Sequence, residues 1–347
     1  MDLVAAFRVQ ADACADLGSP MYAELLERAA DDLESGGPVA EVLRGHEDDP
    51  GPSAVALRLL GSVHRLVLER RADALAAFYP SVGGTWEPAA GWAAFRALVV
   101  DQPDAAREWL DDPPQTNEVG RSAALYGGLL HLPRDLPVRL TEIGSSAGLN
   151  LHADRFAYLD QDGHRFGAPD ADVVLEAAWQ GRRLDAWPDL TVVERVGSDL
   201  RPLDPTTTEG RLRITAYVWP DQRARLERLR AAFRTAGRHR VEVRAQDARS
   251  FVDALDLRDG TMTVLWHSVM WQYLPPDDKQ AVLRRLDVLG SRATPRQRLA
   301  HLRAEPSRRT DQGEREFLVR LRTWPDGEDR ILGGIVPHGI PTTWESD

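Results

Sequence analysis

The 347-residue chain contains one cysteine, Cys14, and its only lysine is Lys279. A single thiol excludes disulfides within the chain and thiolate metal clusters. Lysine chemistry is confined to Lys279, which sits in the polar segment Pro275-Pro-Asp-Asp-Lys279 and reads as a solvated helix start. No apolar run approaches the ~18 to 20 residues that a membrane span needs, and the N-terminus lacks a basic, then apolar, signal pattern. The chain is therefore expected to be soluble and cytoplasmic, with no membrane partner. Its nine histidines include no H-x-x-x-H or H-E-x-x-H spacing, so no metal site is expected. Positive charge is also short. Lys and Arg total 43 against 54 Asp and Glu, a net charge of −11 at pH 7. That balance argues against a nucleic-acid backbone and favours a small-molecule partner. What remains is a globular composition, 43% hydrophobic and 28% charged, long enough for two domains.

Residues 1–130 read as helices. One starts at Leu3, a second covers Met21 to Leu33 after Ser19-Pro20, and a third opens at Ser53-Ala54. The third places Leu57, Leu60, Val63, His64 and Val67 at helical spacing. Pro80 to Pro88 is loop, and Trp92 to Val100 is helical again. Over 131–347 the rhythm changes. Strands are expected at Val138–Ile143, Leu190–Val196, Val241–Ala245, Met262–Trp266 and Leu299–Ala304. Helices are expected at Leu149–Leu159, Pro220–Ala236 and Asp277–Leu289. Gly163–Gly181 reads as an inserted hairpin, and Phe317–Trp324 with Ile331–Pro337 as a closing antiparallel pair around Asp326-Gly327. Alternation at βαβ spacing predicts an α/β fold, a doubly wound, mostly parallel, Rossmann-like sheet behind an N-terminal all-helical cap domain.

Ligands of such sheets bind outside the carboxyl ends of the strands, so strand ends carry the functional signal. The first strand ends in Glu142-Ile-Gly144 and runs into Ser145-Ser-Ala-Gly148. Small residues let a ligand approach the backbone, and a helix N-terminus behind them offers unpaired N–H groups. The acid at Glu142 disfavours a pyrophosphate and favours a cationic or hydroxyl-rich ligand. Asp199 ends the second strand, placed to accept from a ribose diol. Asp247, followed by Ala248, ends the third, placed to accept from an adenine amino group. Trp266-His267-Ser268 ends the fourth, ahead of the aromatic run Trp271-Gln-Tyr273. Each also has a plainer reading: Glu142 as a solvated strand end, Asp199 or Asp247 as a cap of the helix that follows, and His267 as a satisfied buried histidine.

Two further polar clusters stand out. Gln115-Thr-Asn-Glu-Val-Gly-Arg121 precedes the first strand; Asn117 or Thr116 is either a helix cap or, with Glu118 and Arg121, part of an acceptor site. Trp219-Pro-Asp-Gln222 carries Pro where a helix starts.

Taken together, Gln115–Arg121, Glu142-Ile-Gly-Ser-Ser-Ala-Gly-Leu-Asn-Leu151, Trp219–Gln222 and Trp266-His-Ser-Val-Met-Trp-Gln-Tyr-Leu274 resemble the bacterial domain-of-unknown-function family 2332. Ser19-Pro20, Val63–Leu66 and His338-Gly339 extend that resemblance over the whole chain. More distantly, residues 138–340 resemble class I S-adenosylmethionine-dependent methyltransferases. That resemblance implies that Glu142, Gly144, Ser146 and Gly148 cradle the methionine part of the cofactor. Asp199 would take the ribose, Asp247 and Ala248 the adenine, and Trp266 to Ser268 would face the methyl group. Ser146 departs from the usual middle glycine, and the interval from Gly148 to Asp199 is longer than usual.

The same loop spells G-x-S-x-G, the nucleophile elbow of a serine hydrolase, with Ser146 as nucleophile, Asp247 or Asp253 as acid and His338 as base. Against it stand the absence of an H-G-G-G segment and of any strand before the elbow. A non-catalytic nucleoside or cofactor binder is a third reading. The favoured expectation is an S-adenosylmethionine-dependent methyltransferase acting on a small molecule. In it His267 or Glu118 serves as base, with Asn117 and Arg121 beside the acceptor.

Overall fold

The computed structural model describes residues 2–49, 54–325 and 327–346; Ser53 and Asp326, read above as a helix start and a turn, lie outside them. The chain divides into two compact units, Met1–Thr116 with Thr207–Glu227, and Asn117–Thr206 with Arg228–Asp347. The sequence reading placed one boundary at 130. The structure instead sends a later segment back to the helical unit and begins the second unit at Asn117.

The helical unit contains α1 (Leu3–Asp16), α2 (Pro20–Glu34), α3 (Pro38–Val42), α4 (Val55–Leu68), α5 (Asp73–Ala76), α6 (Pro88–Asp101), α7 (Pro103–Arg107) and the returning α9 (Thr208–Ala216); the expected helix over 220–236 follows as α10 (Arg223–Arg238). Ser19 caps α2 by accepting from Tyr22 N at 3.3 Å, with Pro20 pre-set for the first turn. Asp221 completes that cap, accepting from Ser19 Oγ at 2.7 Å and Met21 N at 3.1 Å. The Trp219–Gln222 motif thus closes the start of a helix about two hundred residues earlier rather than only opening its own. Trp219 is buried in the core of this unit with Tyr22, Leu25, Leu59 and Val63.

The second unit carries one eleven-stranded sheet. Its strands are β1 (Val138–Ile143), β2 (Ala157–Asp160), β3 (Arg165–Gly167), β4 (Val174–Gly181), β5 (Val192–Asp199), β6 (Glu242–Ala245), β7 (Thr261–Ser268), β8 (Gln297–Arg308), β9 (Arg315–Trp324), β10 (Asp329–Ile335) and β11 (Thr342–Trp344). The order is β3-β2-β4-β11-β10-β9-β8-β7-β1-β5-β6. From β6 to β8 the pairing is parallel throughout; β9 and β10 then run antiparallel as the expected closing pair. β1 has β5 on one side and β7 on the other, and the carboxyl ends at such a change of direction are where open α/β sheets bind ligands.

The two faces of the sheet are covered differently. Ile143, Leu265, Leu299 and Trp324 pack with α11 (Ala248–Asp253) and α12 (Pro276–Gly290) through Phe251, Val252, Val282, Leu286 and Leu289. Because successive side chains alternate, Glu142, Trp266 and Leu302 point to the other face. There α8 (Ser122–Leu129) packs, close enough that a Cβ on Gly128 would meet Leu302 at 2.6 Å.

Two expectations need correction. Leu149–Leu159 is not one helix: a 3₁₀ stretch, Leu149–Arg155, gives way to β2, because Ala157 and Tyr158 pair with Val174 and Leu175 of β4. Gly163–Gly181 is more than a hairpin, since β4 carries the sheet onward by pairing in parallel with both β2 and β11.

Candidate functional site

The loop after β1 is left-handed at every second residue, Gly144 (φ +68°), Ser146 (φ +53°) and Gly148 (φ +69°). Glycine takes that conformation freely; Ser146 occupies it as an L-residue, a position that costs on the order of 1 kcal/mol.

The loop's amides do not wait open. Ser145 N donates to Ser198 O at 3.0 Å and Gly148 N to Ser145 O at 2.8 Å. Ser146 N donates to Asp199 Oδ2 at 2.8 Å. Ala147 N and Leu149 N both donate to Asn117 Oδ1, at 3.2 and 3.0 Å. Asn150 Nδ2 reaches the Glu118 carbonyl at 3.3 Å. Asn117 therefore caps the Gly-rich loop rather than its own helix. Asp199 turns its other oxygen to Arg201 N at 2.9 Å. Asp247 caps α11 by accepting from Ser250 N at 2.8 Å, with Ala248 buried behind it.

Glu118 is buried and accepts from Gly120 N at 3.0 Å. Arg121 Nε donates to Pro337 O at 3.1 Å. The His338-Gly339 turn packs directly on this segment: a Cβ on Gly120 would meet His338 O at 2.2 Å, and one on Gly339 would meet Gly120 C at 2.1 Å. Motifs separated by more than two hundred residues are thus in backbone contact.

Glu142 is the least satisfied group of the set. It is 3% exposed, and its Oε2 has no hydrogen-bond partner among the described residues. Its register neighbour on β7 is Trp266, fully buried, whose Nε1 also lacks a full hydrogen bond. Burial drives the Glu142 carboxyl well above the usual carboxylate range. The indole N–H of Trp266 pulls it partly back, the charge of Asp199 raises it further, and Arg121 lowers it.

His267 lies elsewhere. It projects from the α12 face of the sheet, fully buried, with Nδ1 on Glu305 Oε1 at 2.8 Å and Nε2 facing His301 Nε2 at 2.9 Å. Glu305 Oε1 also accepts from Met270 N and Trp271 N at 3.1 and 3.3 Å. Trp271 stacks on the His267 ring at 4.8 Å between centroids. Met270 in turn lies against Gly144, where a Cβ would meet its Cβ at 2.8 Å. The cluster pins the 269–274 loop beside the Gly-rich turn. No pattern in the sequence singled out Glu305 or His301.

Among the described residues one group has metal-ligand composition, Asp160, Asp162 and His164. Its geometry is that of a turn: Asp160 Oδ1 accepts from Asp162 N and His164 N at 2.9 and 2.8 Å. Among the described residues no helix is long and apolar enough to cross a membrane.

The sequence pattern of the family described as "Uncharacterized protein conserved in bacteria (DUF2332)" matches residues 4–344. The chain belongs to that family. No curated protein matches it.

Proposed function

We propose that this family member is an S-adenosylmethionine-dependent methyltransferase of Rossmann-like fold whose acceptor is a small molecule. The observation that carries the proposal is the buried Glu142 carboxyl where β1 and β7 meet, whose Oε2 has no full hydrogen bond and whose neighbouring donor is the indole N–H of Trp266. Leaving a buried acceptor without a full partner costs about 1 to 3 kcal/mol, a cost that a bound donor would relieve. Asp199 and Arg121 both act on Glu142, so an ionised Glu142 with Asp199 would outnumber the one guanidinium and suit a cation.

S-adenosylmethionine fits that donor set, since it brings an ammonium, a sulfonium and a ribose diol; when bound it supplies an electrophilic methyl group. Glu142 would accept from the ammonium, while Gly144 and Gly148 let Met270 and Val243 pack closely against the turn. Asp199 retains lone pairs for the ribose while it holds Ser146 N. Asp247 and Ala248 would border the adenine. Glu118 and Arg121 sit on the segment bonded to the loop, and we assign acceptor binding and proton removal there. In this reading His267 is a positioning residue, because Nδ1 is engaged by Glu305, which holds the 269–274 loop, and Nε2 by His301.

Titration calorimetry with S-adenosylhomocysteine tests the assignment. Saturable binding is expected, weakened about tenfold or more in Glu142→Gln, which loses one charge-assisted hydrogen bond. Because a cationic ligand ionises Glu142, binding of S-adenosylmethionine should release a proton and tighten as pH rises toward the raised pKa of that carboxyl. Full affinity in Glu142→Gln would remove the cofactor assignment. The hydrolase reading draws on the left-handed Ser146 directly after a strand; covalent labelling of Ser146 by a fluorophosphonate would establish it in place of the transferase.

A further inference from the structure

Away from Glu142, the sheet unit holds a cleft of about 290 Å³. Ala147 of the Gly-rich loop, the Pro202–Thr206 segment, and Val241 with Val243 form its walls, and His152, His239 and Arg240 supply polar groups. His152 is 1% exposed, yet neither ring nitrogen has a hydrogen-bond partner among the described residues. An imidazole buried with both nitrogens idle is costly, about 1 to 3 kcal/mol for each unmet group. Charge around it is one-sided. Burial first, then the charges of Arg195 and Arg155, with His239 contributing least, hold the His152 pKa down at about 3. Arg195 is matched by Asp154 and Arg238 by Asp172. Arg155 and Arg240 have no hydrogen bond or ion pair among the described residues. The one acid on the lining, Asp204, is exposed and turned into its own loop, accepting from Thr206 N at 2.8 Å and Thr206 Oγ at 2.6 Å.

We infer that this cleft is a second binding site, for a small ligand carrying a carboxylate or phosphate on an apolar body. The anion would meet Arg240 at the mouth and the field of Arg155 within. Neutral His152 can both donate and accept, so it suits an anion that also bears a hydroxyl or a carbonyl. Leu203, Val241 and Val243 would cover the apolar part. The wall is tied to the Gly-rich loop, because Leu203 N donates to Ser146 O at 3.2 Å. Occupancy would therefore be felt at Ser146.

Calorimetric titration of the full chain with phenyl phosphate, benzoate and inorganic phosphate tests this. Phenyl phosphate or benzoate should bind saturably, and the tighter of the two identifies the anionic group. Inorganic phosphate should bind more weakly than phenyl phosphate, having no apolar body. Arg240→Ala, at an exposed position that leaves the core intact, should weaken binding about tenfold, the worth of one hydrogen bond to a charged group. The ring ¹⁵N resonances of His152 should move on titration. Glu142→Gln should leave probe affinity unchanged, which separates this site from the cofactor proposal. Absence of saturable binding, equal affinity in Arg240→Ala, or loss of affinity in Glu142→Gln would each overturn the inference.

Discussion

His64 in the helical unit and His152 in the sheet unit are both sealed from water, at 0% and 1% exposure. Burial holds both neutral, with pKa values pushed down to about 4 and about 3. Their partners differ completely. His64 Nδ1 meets the Ala216 carbonyl at 3.0 Å and Nε2 meets Ser81 Oγ at 2.8 Å. A carbonyl can only accept, so the proton sits on Nδ1 and Nε2 accepts from the serine. His152 has no such bonds. The carboxylates repeat the contrast. Asp32, in the helical unit, holds Val39 N and Arg96 Nε, each at 2.9 Å, whereas Glu142 Oε2 holds nothing. The contrast lies in these histidines and carboxylates, since the buried Tyr22, Tyr79 and Tyr217 hydroxyls of the first unit also lack partners among the described residues.

The contrast breaks most directly at His64. Replacing it by leucine strands the Ser81 hydroxyl and the Ala216 carbonyl, and should cost about 3 kcal/mol in urea unfolding. A change under about 1 kcal/mol would mean that the pairing contributes little.

Acid titration should show an effect of similar size. The folded pKa of His64 lies below the unfolded value, so its contribution is complete above about pH 6.5 and is lost as pH falls toward about 4. On the order of 3 kcal/mol is at stake for this one fully buried ring. The His64→Leu variant should lack that share of the slope.

Asn117→Ala follows, at about 2 kcal/mol, since it unpairs Ala147 N and Leu149 N together. Hydrogen exchange at those two amides should rise well before exchange in β1. Exchange unchanged from the parent would show that the loop holds itself.

Glu142→Gln should move stability the other way. A carboxyl with a raised folded pKa contributes fully below its unfolded pKa and loses that contribution as pH rises. The amide removes this loss, so the variant should be the more stable at neutral pH. The difference should vanish as pH falls to about 4.3. A destabilised variant at neutral pH would show that the charged form has a partner.

The smallest effect is expected from His152→Leu, within about 1 kcal/mol of the parent or stabilising, because no hydrogen bond is lost. A loss as large as that of His64→Leu would erase the distinction between the two histidines.

Strands β1, β5 and β7 were legible as apolar runs ending in an acid or a Gly-Ser turn, and the closing pair β9–β10 as two runs about a turn. Other elements carried weaker local signals. The helix α9 buries only Gly210, Ile214 and Ala216, and its one local mark is Thr207, which caps it by accepting from Gly210 N at 3.0 Å. The strand β11 is three residues long and is a strand only because Thr342 to Trp344 pair with β4 and β10. Glu142 and His267 stand at neighbouring strand ends and read as one pocket. The register of β1 on β7 gives Glu142 the partner Trp266, so alternation sends His267 to the opposite face.

Composition and local pattern by themselves determined the α/β class, the helical first third, the Gly-rich loop after the first strand and the acid that precedes it. Each depends on neighbours within a few residues, through periodicity, φ preference and capping. The tertiary structure alone decided which buried polar groups have partners. Asn117 reaches a loop some thirty residues on, Arg121 a carbonyl at 337, and Asp221 a helix cap at Ser19. A hydrogen bond is set by a separation of about 3 Å in space, which residue order does not encode. The idle nitrogens of His152 and the idle oxygen of Glu142 therefore became visible only once every other donor and acceptor had been placed.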